Sequence, residues 1–376
     1  MEYDSDPSGA VRDNAGRIRS LIETHFTATD VAVYDRFIRF VVHDVKSPFR
    51  TIRDDFAAAG CMPLLRRRAG SRICLLVRTR RRAGTSPRRE TAAAAALFVI
   101  TLATTTMAGY FFSAPMVEYG FMSNVWWGSA SFSSGLLFVL GCHEMGHKLA
   151  AMRCGIDASP PYFIPLPSLA MFGSEFVTLG TLGAVIRVRS PLPSDDSAVD
   201  MGLNGPIAGF LAAVPIAVLG AMLSRQIAPE HLPGRGVALY FGEPLILKGI
   251  AWLFAPRGTG AVVPHPLLFA GWVGFFVTSL NLIPVGQLDG GHVMRALVGQ
   301  RRFRFLSLAI VFSLFALGFV WYGWFVWSAV GLLLTLRKYP RVMNEFEGLS
   351  RAKRRKALLA PVLFALCFMP VPIAVR

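Results

Sequence analysis

Apolar residues fall along this chain in long runs separated by short polar connections, and the runs begin only after residue 90. Seven stretches, at roughly 91–113, 131–152, 202–223, 265–285, 303–318, 319–336 and 357–374, approach the ~20 residues that cross a hydrocarbon core as a helix. The fifth and sixth are short and read as a tight hairpin or one broken unit. Residues 1 to about 90 carry a different pattern. Val31 to Val42 alternates and is β-branched, Pro48 to Ala59 has helical spacing, and Cys61 to Leu65 and Arg72 to Val77 give two further short strands. The pattern predicts a polytopic α-helical membrane protein of about six to seven transmembrane helices. A small soluble α+β domain, residues 1–90, precedes a core at 91–300, and further helices with a basic linker follow at 301–376.

Composition agrees with the pattern. A hydrophobic fraction of 53% with 16% charged residues excludes an ordinary soluble globular protein. Lysine and arginine number 39 against 23 acidic residues, for a net charge of +16. The basic residues flank the apolar runs, which makes them a topology signal and an attraction to anionic lipid; nucleic acid is not expected as a partner. Arg78 to Arg82 and Arg88-Arg89 hold the N-terminus in the cytoplasm by the positive-inside rule. Alternation then puts Arg153, Arg295 to Arg304, Arg337 to Arg341 and Arg351 to Lys356 on that same side, while 114–130 outside has no lysine or arginine. Trp126-Trp127 and Trp321 to Trp327 suit the interfacial belt. Residues 223–264 fit less well, and Lys248 to Phe254 reads as interfacial or re-entrant. The acidic start, Met1 to Asp6, has no signal-peptide pattern, so insertion is expected from internal spans of a multi-pass cell-membrane protein. Five scattered cysteines have neither metal nor disulfide spacing.

The second apolar run closes on His143-Glu144-Met145-Gly146-His147, an HExxH pattern. Charged residues at the centre of a membrane helix cost about 2.5 to 3.5 kcal/mol each, so they are retained there for a reason. Four-residue spacing on a helix puts both imidazoles on one face, able to share a metal ion, with Glu144 beside them. The bland alternative is two histidines satisfied by helix contacts and a glutamate reaching for the surface.

A catalytic zinc takes three protein ligands and keeps one position open. Asp289, in the stretch Asn281 to Gly291, is the candidate third ligand. Its span runs outside to inside, as does the HExxH span, so both arrive at similar depth on the cytoplasmic side. Pro284, Gly286, Gly290 and Gly291 interrupt the helix end, and such backbone is tolerated at membrane depth where it is buried or lines a water-filled cavity. Taken alone, Asp289 also reads as an N-cap or turn carboxylate.

His143 to His147, Asn204-Gly205-Pro206-Ile207-Ala208-Gly209 and Asn281 to Gly291 resemble the signature motifs of the site-2 protease family of intramembrane zinc metalloproteases. Pro160 to Pro165 and Gly180 to Pro191 resemble its prokaryotic and chloroplast branch, and the likeness covers about residues 91–300. The resemblance implies that His143, His147 and Asp289 bind one Zn2+ and that Glu144 is the general base. It implies a transmembrane protein as substrate, cut within the lipid bilayer, with no small-molecule cofactor. Asn204 and Asn281 are candidates to bind substrate backbone or an oxyanion, with interhelical hydrogen bonding as the alternative. Many family members carry a PDZ domain, and the connections here are too short for one; the N-terminal domain is expected to gate access instead.

A transmembrane substrate must unwind before its peptide bonds can be attacked, and its freed backbone then needs partners. Glu175 to Arg189 alternates and is β-branched, which predicts a membrane-associated β-hairpin or sheet edge that pairs with the substrate, or else a plain cytoplasmic hairpin. His265-Pro266 matches the family branch without an assigned role, and His25, His43, His231 and His292 read as ordinary histidines. Two other readings of the same residues are a membrane metal transporter, which predicts further polar residues across the spans, and an inactive family scaffold, which predicts a missing ligand or base.

Overall fold

The computed structural model describes residues 9–34, 37–68, 71–78, 86–167, 178–227, 239–256, 258, 260–337, 339 and 341–375. The chain separates into two compact units: residues 1–85 with 191–195 and 340–349, and the remainder.

In the first unit, α1 (Gly9–His25), β1 (Phe26–Val33), β2 (Phe37–Val45), α2 (Phe49–Ala58), β3 (Cys61–Arg68) and β4 (Ser71–Arg78) build an antiparallel sheet of order β1-β2-β4-β3. The single strand predicted at 31–42 is corrected to parts of two strands. Tyr34-Asp35-Arg36 interrupts the apolar pattern, and the Tyr34 N–H donates to the Phe37 carbonyl at 2.9 Å. Phe40 pairs with Cys74 and Cys74 with Leu65, so three neighbouring strands bury these side chains on one face. Ile18 and Ile22 of α1, with Phe49, Ile52 and Phe56 of α2, recur at helical spacing and cover that face.

The edge of β3 is satisfied by a distant segment. Leu65 N–H donates to the Met343 carbonyl at 2.8 Å, and Glu345 N–H returns to the Leu65 carbonyl at 3.1 Å. Arg66 Nη1 donates to the carbonyls of Val342 (2.7 Å) and Met343 (3.1 Å). Residues 191–195 lie along the same segment, Met343 N–H donating to the Leu192 carbonyl at 2.8 Å and Asn344 N–H to that of Pro193 at 2.9 Å.

The second unit begins with α3 (Pro87–Glu118) and α4 (Val125–Arg153), followed by β5 (Tyr162–Pro165) and β6 (Thr181–Val185). Next come α5 (Asp195–Leu223), β7 (Arg225–Ile227), β8 (Leu239–Phe241), α6 (Leu245–Phe254), β9 (Ala261–Val263), α7 (Pro266–Asn281) and α8 (Asp289–Val298). It ends with α9 (Gln300–Leu317), α10 (Gly323–Leu336), α11 (Arg351–Ala357), α12 (Leu359–Cys367) and β10 (Ile373–Val375). Among the described residues, α3, α4 and α5 are long and apolar enough to cross a membrane, while α6, α7 and α10 are shorter apolar helices.

The run at 357–374 does not form one helix. α12 stops at Cys367, Pro370 and Pro372 cannot continue it, and Ile373 instead pairs with Phe241 of β8. Of the stretch 175–189, residues 181–185 form β6, whose antiparallel partner is β5 at 162–165 rather than a strand within the stretch, and 168–177 lie outside the described residues. His231 also lies outside them. Lys248 to Phe254 falls in α6, where Leu247 and Ile250 are buried and Trp252 and Leu253 exposed.

The core of this unit is where α4, α5 and α7 meet. Leu136, Leu140, Ala213, Ala217, Ala270, Val273 and Phe275 are buried there. Small residues permit the close approach, as expected where packing rather than water drives helix association. A Cβ on Gly271 would lie 2.9 Å from the Ala217 backbone, and one on Gly274 2.9 Å from the Ala213 side chain.

Candidate metal centre and active site

The HExxH turns of α4 are buried, with His143, Glu144 and His147 respectively 4%, 7% and 7% exposed, while Met145 and Leu149 face outward. Helical spacing alone thus sorts the polar residues inward and the apolar ones outward. α5 crosses directly beneath. A Cβ on Gly209 would stand 3.0 Å from His143 Nδ1, one on Gly205 would overlap the His147 ring, and one on Gly146 would overlap the Asn204 carbonyl. Glycines at these three places are what let the imidazoles sit between the two helices.

Asp289 reaches the histidines from the start of α8. The chain leaves α7 at Asn281 and turns through 282–288, where Gly286 has φ +50°, a conformation that favours glycine. Gly290 packs against the Leu282 carbonyl, which brings the first turn of α8 back onto the end of α7. Gly286 N–H donates to Ser307 Oγ at 3.1 Å, which fixes the turn. Asp289 Oδ2 then lies 3.4 Å from His143 Nε2 and 3.2 Å from His147 Nε2, and the two Nε2 atoms are 3.1 Å apart.

These distances test whether the residues fit a metal. His147 Nδ1 is 2.7 Å from the Met201 carbonyl, which can only accept, so Nδ1 carries a proton and the ring is held with its Nε2 edge toward His143 and Asp289. Donor atoms about 2.05 Å from one tetrahedral zinc lie about 3.3 Å apart. The three observed separations straddle that value, so His143, His147 and Asp289 fit a zinc ion through one nitrogen each and one carboxylate oxygen. His143, Glu144 and His147 also form a cluster able to hold a metal.

A cavity of about 300 Å³ opens on His143 and Glu144 and is lined also by Asn281, Thr181, Leu280 and Trp327, among others. Asn281 Nδ2 sits 3.2 Å from His143 Nε2, and the Ile186 backbone N–H, immediately after β6, faces the Glu144 carboxylate. β6 therefore runs beside the site, its Leu182 and Val185 exposed.

Of the two asparagines singled out from sequence, Asn281 borders the donor cluster and Asn204 does not. Asn204 Oδ1 accepts from Lys356 Nζ at 2.6 Å, so its side chain is engaged by a lysine rather than by the histidines. Sequence reasoning missed the Met201 carbonyl and Lys356. A main-chain acceptor has no residue signature, and Lys356 sits in a basic cluster whose pattern signals topology. His292 bonds to the Tyr339 hydroxyl through Nδ1, and the Arg295 guanidinium lies 5.1 Å over the Tyr339 ring, bracing α8 behind Asp289. His25 bridges Ser47 Oγ (3.0 Å) and Asp55 Oδ2 (2.9 Å), and His43 bonds to Thr29 Oγ1 at 2.8 Å, partners that suit ordinary structural histidines. His265 caps α7, its side chain accepting from Leu267 N–H.

Residues 131–321 match the profile of Peptidase family M50. The probable zinc metalloprotease EGY1 of Arabidopsis thaliana, named as chloroplastic, is 34% identical over 169 residues, 44% of this chain and 29% of its own length. Its counterpart in Oryza sativa subsp. japonica is 29% identical over 244 residues, 63% of this chain and 40% of its own. The probable zinc metalloprotease EGY2 of Oryza sativa subsp. indica is 30% identical over 182 residues, 46% and 30% respectively. The chain thus spans well under half the length of these relatives. No solved structure matches it.

Proposed function

Because the chain belongs to peptidase family M50, we propose that it is a zinc endopeptidase that hydrolyses a peptide bond within the transmembrane segment of a protein substrate. The observation that carries this reading is the convergence of His143 Nε2, His147 Nε2 and Asp289 Oδ2 at 3.1 to 3.4 Å beside a carboxylate in an apolar cavity. Zinc, when bound, lowers the pKa of its water to about 7 and polarises a peptide carbonyl. Glu144 is placed to take a proton from the attacking water and pass it to the leaving amine. Asn281 Nδ2, on the rim of the same cluster, is placed to donate to the developing oxyanion. The apolar walls supplied by Leu136, Leu140, Val273 and Phe276 accept the side chains of a lipid-buried segment.

The substrate helix unwinds and adds as a strand along β6, which already borders the cavity and whose neighbour Ile186 faces Glu144. The protein is a multi-pass protein of the cell membrane with about six to seven spans, its N-terminus and the site's opening on the cytoplasmic side. Two features support that topology: the arginine-rich flanks, and the packing of 1–85, 191–195 and 340–349 into one unit. Alternation puts all three of those segments on one side. The product is a fragment released from the membrane.

The test is cleavage of a single-span membrane protein, trimmed of its extracytoplasmic part, by the detergent-purified chain. Removal of metal with a chelator is expected to abolish cleavage and stoichiometric zinc to restore it. Cleavage that persists in the stripped protein overturns the reading.

A further inference from the structure

α5 carries Asp196, Asp200 and Asn204 at four-residue spacing, on one face of the helix. Each is met by the segment that opens α11. Ser350 N–H donates to Asp196 Oδ1 at 2.9 Å, and Ser350 Oγ caps α11 through Lys353 N–H at 3.3 Å. Lys353 Nζ pairs with Asp200 Oδ2, and Lys356 Nζ with Asp200 Oδ1 at 2.7 Å and Asn204 Oδ1 at 2.6 Å. Both lysines are about a quarter exposed at the side chain and Asp200 is 18% exposed, so these are partly desolvated pairs in a converging network rather than a single surface contact.

The same turn of α5 faces His147. The Met201 carbonyl accepts from His147 Nδ1, Gly205 lies against the His147 ring, and the Asn204 backbone packs on Gly146. This turn is poorly held by its own helix. Gly202 and Gly205 weaken it, and Pro206 has no N–H to bond the Gly202 carbonyl. A turn that faces a proposed metal ligand while lacking one of its own backbone hydrogen bonds gains from an external brace, and the lysines are the groups that grip it.

We propose that Lys356 is a positioning residue of the metal centre. It clamps Asp200 and Asn204 so that the Met201 carbonyl holds His147 with Nε2 aimed at His143 and Asp289. The helix α11 is thereby part of the site's support, and its arginines 351, 354 and 355, which are exposed, are not. The inference rests on zinc occupying the proposed donor set but not on proteolysis. Loss of an outer partner of a metal ligand typically weakens binding 10–100-fold, and Lys356, one step further out, belongs at about the lower figure.

The experiment measures zinc affinity of the full chain in detergent by chelator competition, together with the visible spectrum of the cobalt-substituted protein. Lys356→Met is expected to weaken zinc about tenfold and to shift the cobalt bands. Lys356→Arg is expected to restore both, and Arg354→Met to change neither. Asn204→Ala, which leaves the ion pairs to Asp200 in place, is expected to act in the same direction and substitutes for Lys356→Met if that variant does not fold. Wild-type affinity and an unshifted cobalt spectrum in the folded Lys356→Met or Asn204→Ala variant overturn the proposal. A wild-type chain that binds zinc with this spectrum but cleaves nothing leaves it standing while refuting the protease reading.

Discussion

Asp289 Oδ2 lies 3.2 Å from His147 Nε2, which joins the first turn of α8 to the last turns of α4. The carboxylate is held there by a turn that depends on Gly286 and Gly290, so the proposed third donor comes from an irregular backbone and not from a regular helix face. Asp289→Ala removes the carboxylate of the proposed donor set. Zinc content, measured after gel filtration, is expected to fall from about one per chain to near zero. Retention of zinc at the wild-type level would exclude Asp289 as a ligand.

Gly205 gives a packing test of the same centre. A methyl group there has to displace the His147 ring, and overpacking a filled site costs about 1–3 kcal/mol. Gly205→Ala is therefore expected to lower both zinc affinity and the thermal midpoint. Gly249→Ala, where an added Cβ meets nothing within 4 Å, is expected to leave both unchanged. Equal behaviour of the two variants contradicts the close approach of α5 to α4.

Much of this centre is legible in the sequence, because its elements obey local rules. The step from His143 to His147 is set by helical geometry, and Asp289 follows from matching the direction of two spans. What escapes is whatever depends on backbone atoms or on contacts distant in sequence. The Met201 carbonyl has no residue type to betray it, and Asn204 drew attention for the site while its side chain answers to Lys356. The apolar run at 357–374 reads as a span by composition alone. Pro370 and Pro372 end the helix, and the pairing of Ile373 with Phe241 is set by tertiary packing. Val31 to Val42 has the right pattern for strand but is divided between β1 and β2, which pair antiparallel with each other.

Arg66 anchors the segment 342–346 to β3. Its removal takes the donor from the Val342 carbonyl, at about 1–3 kcal/mol for a buried polar group, while the Met343 carbonyl keeps the Leu65 N–H. Burial holds the Arg66 guanidinium below its usual pKa, with the Glu345 carboxylate opposing that shift. In Arg66→Ala, limited proteolysis at 340–349 is expected to accelerate several-fold relative to the wild type. An unchanged cleavage pattern would show that this segment is held by other contacts.

Burial pushes the Cys74 thiol up from its ordinary 9.0, so the folded unit keeps a proton that the unfolded chain releases. The stability this contributes is complete below pH 9 and is lost as pH rises above 9, by about 1.4 kcal/mol per unit. Thermal unfolding between pH 8 and 10 is expected to steepen accordingly in the wild type and to be flatter in Cys74→Ala. In native protein at pH 8, Cys74 is expected to resist alkylation until the unit unfolds. Ready alkylation under native conditions contradicts its burial between β2 and β3.

The central claim is that Glu144 moves the proton in a cleavage that occurs inside a transmembrane segment. Its most direct test pairs wild type with Glu144→Gln on one purified membrane substrate, reading zinc content and the masses of the products together. The expected result is equal zinc in both proteins, wild-type products that end within the substrate's apolar span, and a rate for Glu144→Gln lower by at least about 100-fold. Undiminished cleavage by Glu144→Gln, or cuts confined to the substrate's soluble flanks, would contradict it.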